Sequence, residues 1–444
     1  MTTAGPEISL LALSPAQRRS ATLAAVVGNA LEWFDFSVYG YLATPIGHTF
    51  FPADSASMQV VAAFGVFAVG YLMRPIGSLV LGPIGDLLGR RLMLRLSILV
   101  MGAACLAIAL LPGHDRWGSA AGTTLVLLRM LQGFSVGGEF TGSITYTSEA
   151  ATAGRRGLAS SSTSAGSLLG FTAGTLVVAL LAWLLGGAAL EAWGWRIPFA
   201  LGAAVALLGL WLRHDMPETL SAESAESGAG PGAGGLPALL AAIGLQLNAL
   251  SRHWRLVLWI SALVSFANVV FYVMFVYFVD HAGHGGGGTA MGPVSTITTV
   301  VQACGIPLVL LGGLLTDRHG PWPVNWWANL LLLLVIPLAL PLAQAGGVVG
   351  LALGQVLVVG PVMVLLGSQG LLAVQQVPAR LRCTVFSVAY SLAMALFAGT
   401  GPLVCSWLLE QRGLVWGPTV YCLMFAIPAL LALRQIRPAL QRGG

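Results

Sequence analysis

Glu32, Asp35, Arg74 and Arg129 are ionisable residues set in stretches that are otherwise almost wholly apolar. Gly28, Glu32, Asp35 and Tyr39 follow at steps of four, three and four, which places them on one face of a helix. Arg129, Gln132, Val136, Glu139, Ser143 and Tyr146 share a broad stripe on another. A charge at the centre of a bilayer costs roughly 2.5–3.5 kcal/mol even on permissive insertion scales, so such residues pair or serve a pathway. A carboxyl in a low-dielectric cavity holds its proton more firmly, and a neighbouring guanidinium reverses that preference. An acid whose proton affinity changes with conformation can couple proton flow to solute flow. Asp35 or Glu32 is therefore a candidate proton carrier; the alternative is a fixed ion-pair network that ties the helices together.

Arg129 could hold a substrate carboxylate bidentately or pair with an acid on the first helix. Arg74 leans towards a structural role, because Pro75 and Gly77 beside it suggest a packed, kinked helix. Tyr39 and Gln132 complete the binding candidates of the charged half. Those farther on are uncharged: Asn268, Tyr272, Tyr277, Gln355 and Gln369. Amides and phenols can orient a carboxylate or a zwitterion, although each alone is more often a helix-to-helix hydrogen bond. Asp280, His281 and His284 lead into Gly285–Gly288, offer too few firm ligands for zinc, and read as a flexible polar loop. The five cysteines are scattered singly and read as small buried apolar residues. The sequence carries no phosphate-binding loop, nucleophile triad or cofactor motif; Gly137-Gly138 is read as a helix-packing pair, and no resident metal or cofactor is expected.

The elements that must position these residues follow from composition. The chain of 444 residues is 57% hydrophobic and 8% charged, against roughly 25% charged in an ordinary soluble domain. That excludes a water-soluble enzyme and a secreted disulfide scaffold, and the net charge of +5 is no nucleic-acid signal. About 20 apolar residues cross the hydrocarbon core. Runs of that kind fall near Ala21–Ala43, Gln59–Leu81, Leu92–Leu111, Ala120–Phe140, Leu158–Leu185 and Ile197–Leu212, then near Leu256–Val279, Pro293–Leu315, Val324–Leu342, Val348–Leu372, Val385–Leu409 and Gly417–Leu433. The expected fold is an all-α membrane protein with twelve transmembrane helices in two six-helix bundles, 21–212 and 256–433. Between them, 213–255 contains a Ser/Gly-rich linker and an apolar helical repeat from Leu236 to Leu250, read as a helix on the membrane surface. The segment 1–20 lacks the apolar core of a signal peptide, and 434–444 is a short tail.

There is no lysine; of 21 arginines, Arg74 and Arg129 lie within spans and only Arg116, Arg196 and Arg412 fall on one side. The remaining sixteen mark the other side as cytoplasmic, with both termini inside. Trp193, Trp195, Trp254, Trp322, Trp326, Trp327 and Trp416 fall near span ends, as interfacial anchors do. Deep charges lie on the first, second and fourth spans only. Glu139 is expected near the inner end of the fourth, bracing the turn at Asp86.

Gly82, Gly85, Asp86, Gly89, Arg90 and Arg91 form a turn after the second span, echoed after the eighth by Gly312-Gly313, Asp317 and Arg318. The Gly-Asp-x-x-Gly-Arg-Arg turn resembles the loop signature of the major facilitator superfamily. Gly28–Gly40 (GNALEWFDFSVYG), Arg74-Pro-Ile-Gly77, Arg129–Glu139 (RMLQGFSVGGE) and Gly194–Phe199 (GWRIPF) are similar to its metabolite:proton symporter family. The chain departs from that pattern at Leu87, at Gly320-Pro321 and at Gln375-Gln376. The resemblance implies two pseudo-symmetric bundles, with the first, fourth, seventh and tenth spans lining a central cavity. It further implies a monomeric carrier in the bacterial plasma membrane that imports a small organic acid or zwitterion with protons by alternating access. The inner turns, with Glu139, would act in gating. A facilitator, a sodium-coupled carrier and a non-transporting receptor stand as the alternatives.

Overall fold

A bilayer core offers the backbone no water, so every N–H and C=O must be satisfied within the segment, which favours helices. The computed structural model describes residues 26, 29–30, 32–52, 56–88, 90–137, 139–152, 154–212, 235–284, 291–345, 347–377 and 382–441. The first span is helical over 32–41 and again over Ala43–Phe50. The second comprises Ala56–Leu72 and Arg74–Leu88, the third Arg90–Leu110, the fourth Ser119–Ser135 and Glu139–Ala150, the fifth Arg156–Leu185 and the sixth Arg196–Leu212. A helix over Gly235–Arg252 precedes the seventh span, Trp254–Tyr272, which continues through a π-helical turn, Val273–Tyr277, into Phe278–His284. The eighth to tenth are Met291–His319, Pro321–Ala345 and Gly347–Gln375; the eleventh runs from Arg382 to Gln411, and the twelfth from Gly417 to Gln441.

Eight of these stretches are long and apolar enough to cross a membrane by themselves. The first, third, fourth and sixth spans complete the twelve-helix, all-α membrane fold. The segments 1–20 and 213–234, and Gly28, lie outside the described residues.

Several spans run past their expected ends. The first continues from Ala43 to Phe50, and the fourth from Phe140 to Ala150. Polar residues such as Thr49, Thr145 and Thr147 interrupt the apolar pattern there without breaking the helix. Their hydroxyls donate to carbonyls one turn back: Thr49 to Pro45 at 2.7 Å, Thr145 to Thr141 at 2.9 Å and Thr147 to Ser143 at 2.9 Å. Glu139 therefore starts the second segment of the fourth span, with a further eleven residues of helix beyond it, and does not mark the inner end. Asp280 and His281 belong to the helix that closes the seventh span, not to a polar loop. Trp195 is fully buried against Phe50 and Phe199 and is no interfacial anchor, whereas Trp193, Trp254, Trp327 and Trp416 are half exposed or more.

Close helix crossings depend on missing side chains. A Cβ on Gly133 would strike the backbone of Gly70, one on Gly77 the backbone of Phe134, and one on Gly137 the backbone at Gly77 and Ser78. The second and fourth spans are thus pressed together around Arg74 and Arg129. Pro75 has no N–H to donate to the Tyr71 carbonyl, and the second span is broken at Met73, just before Arg74. Gly170 and Gly174 bring the fifth span against Ala30 and Ser37 of the first, and Gly157 meets Gly313 of the eighth. Leu99, Leu106 and Leu110 on the third span, Leu207 on the sixth, Leu334 on the ninth and Ile427 on the twelfth face outward, where lipid solvates them. The seventh span is buried along most of its length.

Candidate functional site

The glycine crossing delivers both buried arginines to the first span. Arg129 Nη1 lies 3.1 Å from Asp35 Oδ2, and Arg74 Nη2 lies 3.2 Å from Glu32 Oε1. All four side chains are at most 4% exposed. Asp35 also accepts from Gln132 Nε2 at 3.1 Å and from the Cys105 thiol at 3.0 Å, both on Oδ1. Gln132 Oε1 accepts a second bond from Arg129 Nη1 at 2.7 Å, and Gln132 Nε2 reaches Cys105 Sγ at 3.2 Å. Aromatic rings supply the remaining solvation of the guanidiniums. Arg74 sits over Trp33, Phe36 and Tyr71 at 5.0, 4.3 and 4.6 Å, and Arg129 over Phe36 and Tyr39 at 5.0 and 4.3 Å. Removing one partner of such a buried pair leaves an uncompensated charge, which is worse than losing both.

Two hollows flank this network. The smaller, of about 390 Å3, lies inside the first bundle and is lined by Glu32, Asp35 and Glu139 together with Ser97, Met101 and Cys105 of the third span. The larger, of about 540 Å3, lies between the bundles. Seven aromatic side chains line it: Trp33, Phe140, Phe171, Phe271, Tyr272, Phe386 and Tyr390. Ser164, Ser167, Asn268 and Gln369 supply the polar part, and among the described residues no charged side chain lines it. Trp33 Nε1 and Gln369 Oε1 are buried without a hydrogen-bond partner among the described residues, so the cavity wall carries one spare donor and one spare acceptor. Trp33 and Phe140 on this wall are sequence neighbours of Glu32 and Glu139 on the other hollow, so a single layer of the first and fourth spans separates the two.

Contacts between the halves lie towards both ends of the cavity. At one end Thr44 donates to the buried Asp280 from its backbone N at 3.3 Å and its hydroxyl at 2.8 Å. Nearer the middle, the Tyr71 and Tyr272 hydroxyls meet at 2.5 Å, and Gln302 bonds both Tyr41 and Thr175 at 2.8 Å. On the seventh span the cavity lining stops at Tyr272, and the rest up to Asp280 is packed. At the opposite end Asp317 accepts from the backbone N–H groups of Gly157 and Leu158 at 2.6 and 2.9 Å. Its carboxylate thereby caps the positive N-terminus of the fifth span across the two halves. Arg318 beside it is exposed. Beside the cavity itself, next to Phe140 and Phe386, the Thr141 and Ser387 hydroxyls also meet.

The remaining sequence candidates separate. Tyr272, Asn268 and Gln369 line the central cavity, with Asn268 Nδ2 already donating to Val264 O at 2.7 Å. Tyr39 donates to Ala63 O at 3.2 Å and faces Arg129, away from the cavity. Tyr277 turns to Glu410 Oε1 at 3.4 Å, near the Asp280 end, and Gln355 donates to Thr298 at 3.0 Å within the second half. Gly82, Gly85, Asp86, Arg90 and Arg91 fall on helical backbone whose side chains lie outside the described residues, and Gly89 lies outside them altogether. Sequence reading missed Cys105, Trp33, Tyr71, Tyr390 and the Tyr41–Gln302 contact. Ser97, Met101 and Cys105 at steps of four were a legible helical stripe on the third span.

A family model described as Major Facilitator Superfamily matches residues 25–402. Among curated relatives, the glycine betaine/proline/ectoine/pipecolic acid transporter of Dickeya dadantii is 33% identical over 421 residues, covering 93% of this chain and 82% of its own. The ectoine/proline transporter of Corynebacterium glutamicum is 35% identical over 430 residues, with 94% and 84% covered. The proline/betaine transporter of Escherichia coli is 32% identical over 419 residues, with 93% and 82% covered. Among solved structures, a proton:xylose symporter bound to 6-bromo-6-deoxy-D-glucose aligns over 96% of both chains with a TM-score of 0.73 at 20% identity, a likeness of fold. The chain belongs to the major facilitator superfamily and is a multi-pass membrane transporter of small molecules, not an enzyme.

Proposed function

We propose that this transporter is a proton-coupled symporter that imports a small zwitterion of the proline or betaine type by alternating access. The observation that carries this reading is the central cavity, lined by seven aromatic side chains and, among the described residues, by no charged one. An ammonium or quaternary nitrogen over aromatic faces gains about 0.5–2 kcal/mol, more as water is removed. A zwitterion brings no net charge into that cavity, while the spare Trp33 N–H can take its carboxylate. A dicarboxylate would bring two negative charges, while the nearby Arg74 and Arg129 are already engaged by Glu32 and Asp35. The relatives described above, transporters of proline, glycine betaine and ectoine, agree with this chemistry.

Asp35 is the assigned proton carrier, with Glu32 second, because each pairs with an arginine beside a hollow next to the cavity. The proton is the coupling ion and no resident cofactor is needed. The Asp317 end faces the cytoplasm with both termini, and the carrier acts as a monomer in the bacterial plasma membrane. Protein reconstituted in vesicles should accumulate labelled glycine betaine or proline when a proton gradient is imposed, and lose it to a protonophore. Accumulation that follows sodium instead would overturn the coupling. Equilibration without accumulation would make it a facilitator, binding without flux a receptor, and preference for α-ketoglutarate would overturn the substrate class.

A further inference from the structure

A proton carrier paired with a buried arginine faces a difficulty: each time the acid is protonated, the guanidinium loses its counter-charge inside a bundle that cannot solvate it. The structure holds a device that meets this difficulty. Gln132 touches both members of the pair, with Oε1 on Arg129 Nη1 at 2.7 Å and Nε2 on Asp35 Oδ1 at 3.1 Å. Cys105 completes the ring, its thiol on Asp35 Oδ1 at 3.0 Å and its sulfur 3.2 Å from Gln132 Nε2. The groups that face Asp35 are Glu32 and Tyr39 on its own span, Arg74 on the second beside Glu32, Cys105 on the third, and Arg129 and Glu139 on the fourth. Among the described residues the sixth span brings Gly202 and Ala206 to the hollow, and the fifth meets the first through Gly170 and Gly174.

We propose that Gln132, with Cys105, is the positioning residue that lets Asp35 gain and lose its proton while Arg129 stays satisfied. This rests on the symport reading above. With Asp35 ionised, Arg129 Nη1 is shared between Asp35 Oδ2 and Gln132 Oε1. When Asp35 takes a proton, the amide oxygen is already in place as the remaining acceptor. The amide cannot flip without setting N–H against guanidinium, so its nitrogen keeps Asp35 oriented. A thiol both donates and accepts, so Cys105 can turn from donor to acceptor as Asp35 changes from carboxylate to carboxylic acid. Only a proton moves, between Asp35 and the hollow that Glu32 and Glu139 also line.

The test uses the full chain in proteoliposomes, with labelled glycine betaine as probe and uptake followed across pH. Gln132→Glu places a charged acceptor on Arg129, so Asp35 is freed to protonate and the half-maximal point should move to higher pH by about one unit or more. Gln132→Leu removes Arg129's neutral acceptor and the N–H that Asp35 Oδ1 accepts together, so that point should move away from its wild-type value. Cys105→Ser preserves a donor that can also accept and should leave the profile in place. A merely structural role would lower uptake at every pH without moving the midpoint. Should Gln132→Leu fail to fold, the near-isosteric Gln132→Glu carries the test. Wild type that accumulates probe on a proton gradient, with a Gln132→Glu profile unmoved or shifted to lower pH, overturns this proposal alone. Wild type that shows no gradient-driven accumulation overturns the symport reading and this proposal with it.

Discussion

The two halves share one architecture and use it differently. The first bundle buries two ion pairs, Glu32–Arg74 and Asp35–Arg129, on helices held together by glycine contacts. The described buried polar residues of the second are mainly amides and hydroxyls, and many of these return to their own helix. Asn268 donates to Val264, Asn325 to Pro321 and Asn329 to Asn325, each four residues back. A group satisfied within its own helix can move with that helix without losing its partner. Charges shared among three spans resist such motion unless a proton or solute changes the balance. Among the described residues, the first half thus concentrates paired charge, and the second presents mainly neutral polar groups.

Breaking one member of a charged pair should show the largest effect. Arg129→Met should destabilise the protein by about 3–5 kcal/mol, because Asp35 is left buried and unbalanced. Thermal unfolding in detergent will measure it, and Asp35→Asn on the same background should restore part of the loss. Next is the contact that joins the halves at one end. Asp317→Ala removes two charge-assisted hydrogen bonds at a partly exposed site, together about 1.5–3 kcal/mol. It should favour conformations open there, read as faster labelling of a cysteine placed at Ser161. Trp33→Leu removes a cavity ring and the platform under Arg74, and should raise the half-saturating glycine betaine concentration about tenfold, within the range of a desolvated cation–π contact. The smallest effect belongs to the second half: Gln355→Leu should cost about 0.6 kcal/mol, the usual size of an interhelical hydrogen bond in a membrane. A large loss there would erase the contrast between the halves.

Much of this was legible in the sequence. Apolar runs place the spans because lipid leaves no alternative to helices, and the four deep charges stand out against them. Which acid pairs with which arginine was not legible. Spacing fixes a helix face, while pairing depends on how Gly70 and Gly133 let the second and fourth spans cross. Cys105 read as a small apolar filler, because its role exists only where the third span meets Asp35. Asp280 read as a loop residue because its partner, Thr44, is 236 positions away in the chain. Tyr277 and Gln355 matched the chemistry of a binding residue, yet their rotation about the helix axis turns them to Glu410 and Thr298.

The central claim is that Asp35 carries the coupling proton beside, and not within, the cavity that holds the solute. Asp35→Asn tests it directly in proteoliposomes, where accumulation of labelled glycine betaine on a proton gradient is compared with exchange of the same probe at equal pH. Accumulation should be lost while exchange continues near the wild-type rate. Loss of both in a folded protein would place Asp35 in solute binding or in the scaffold, and retained accumulation would show that the proton travels elsewhere.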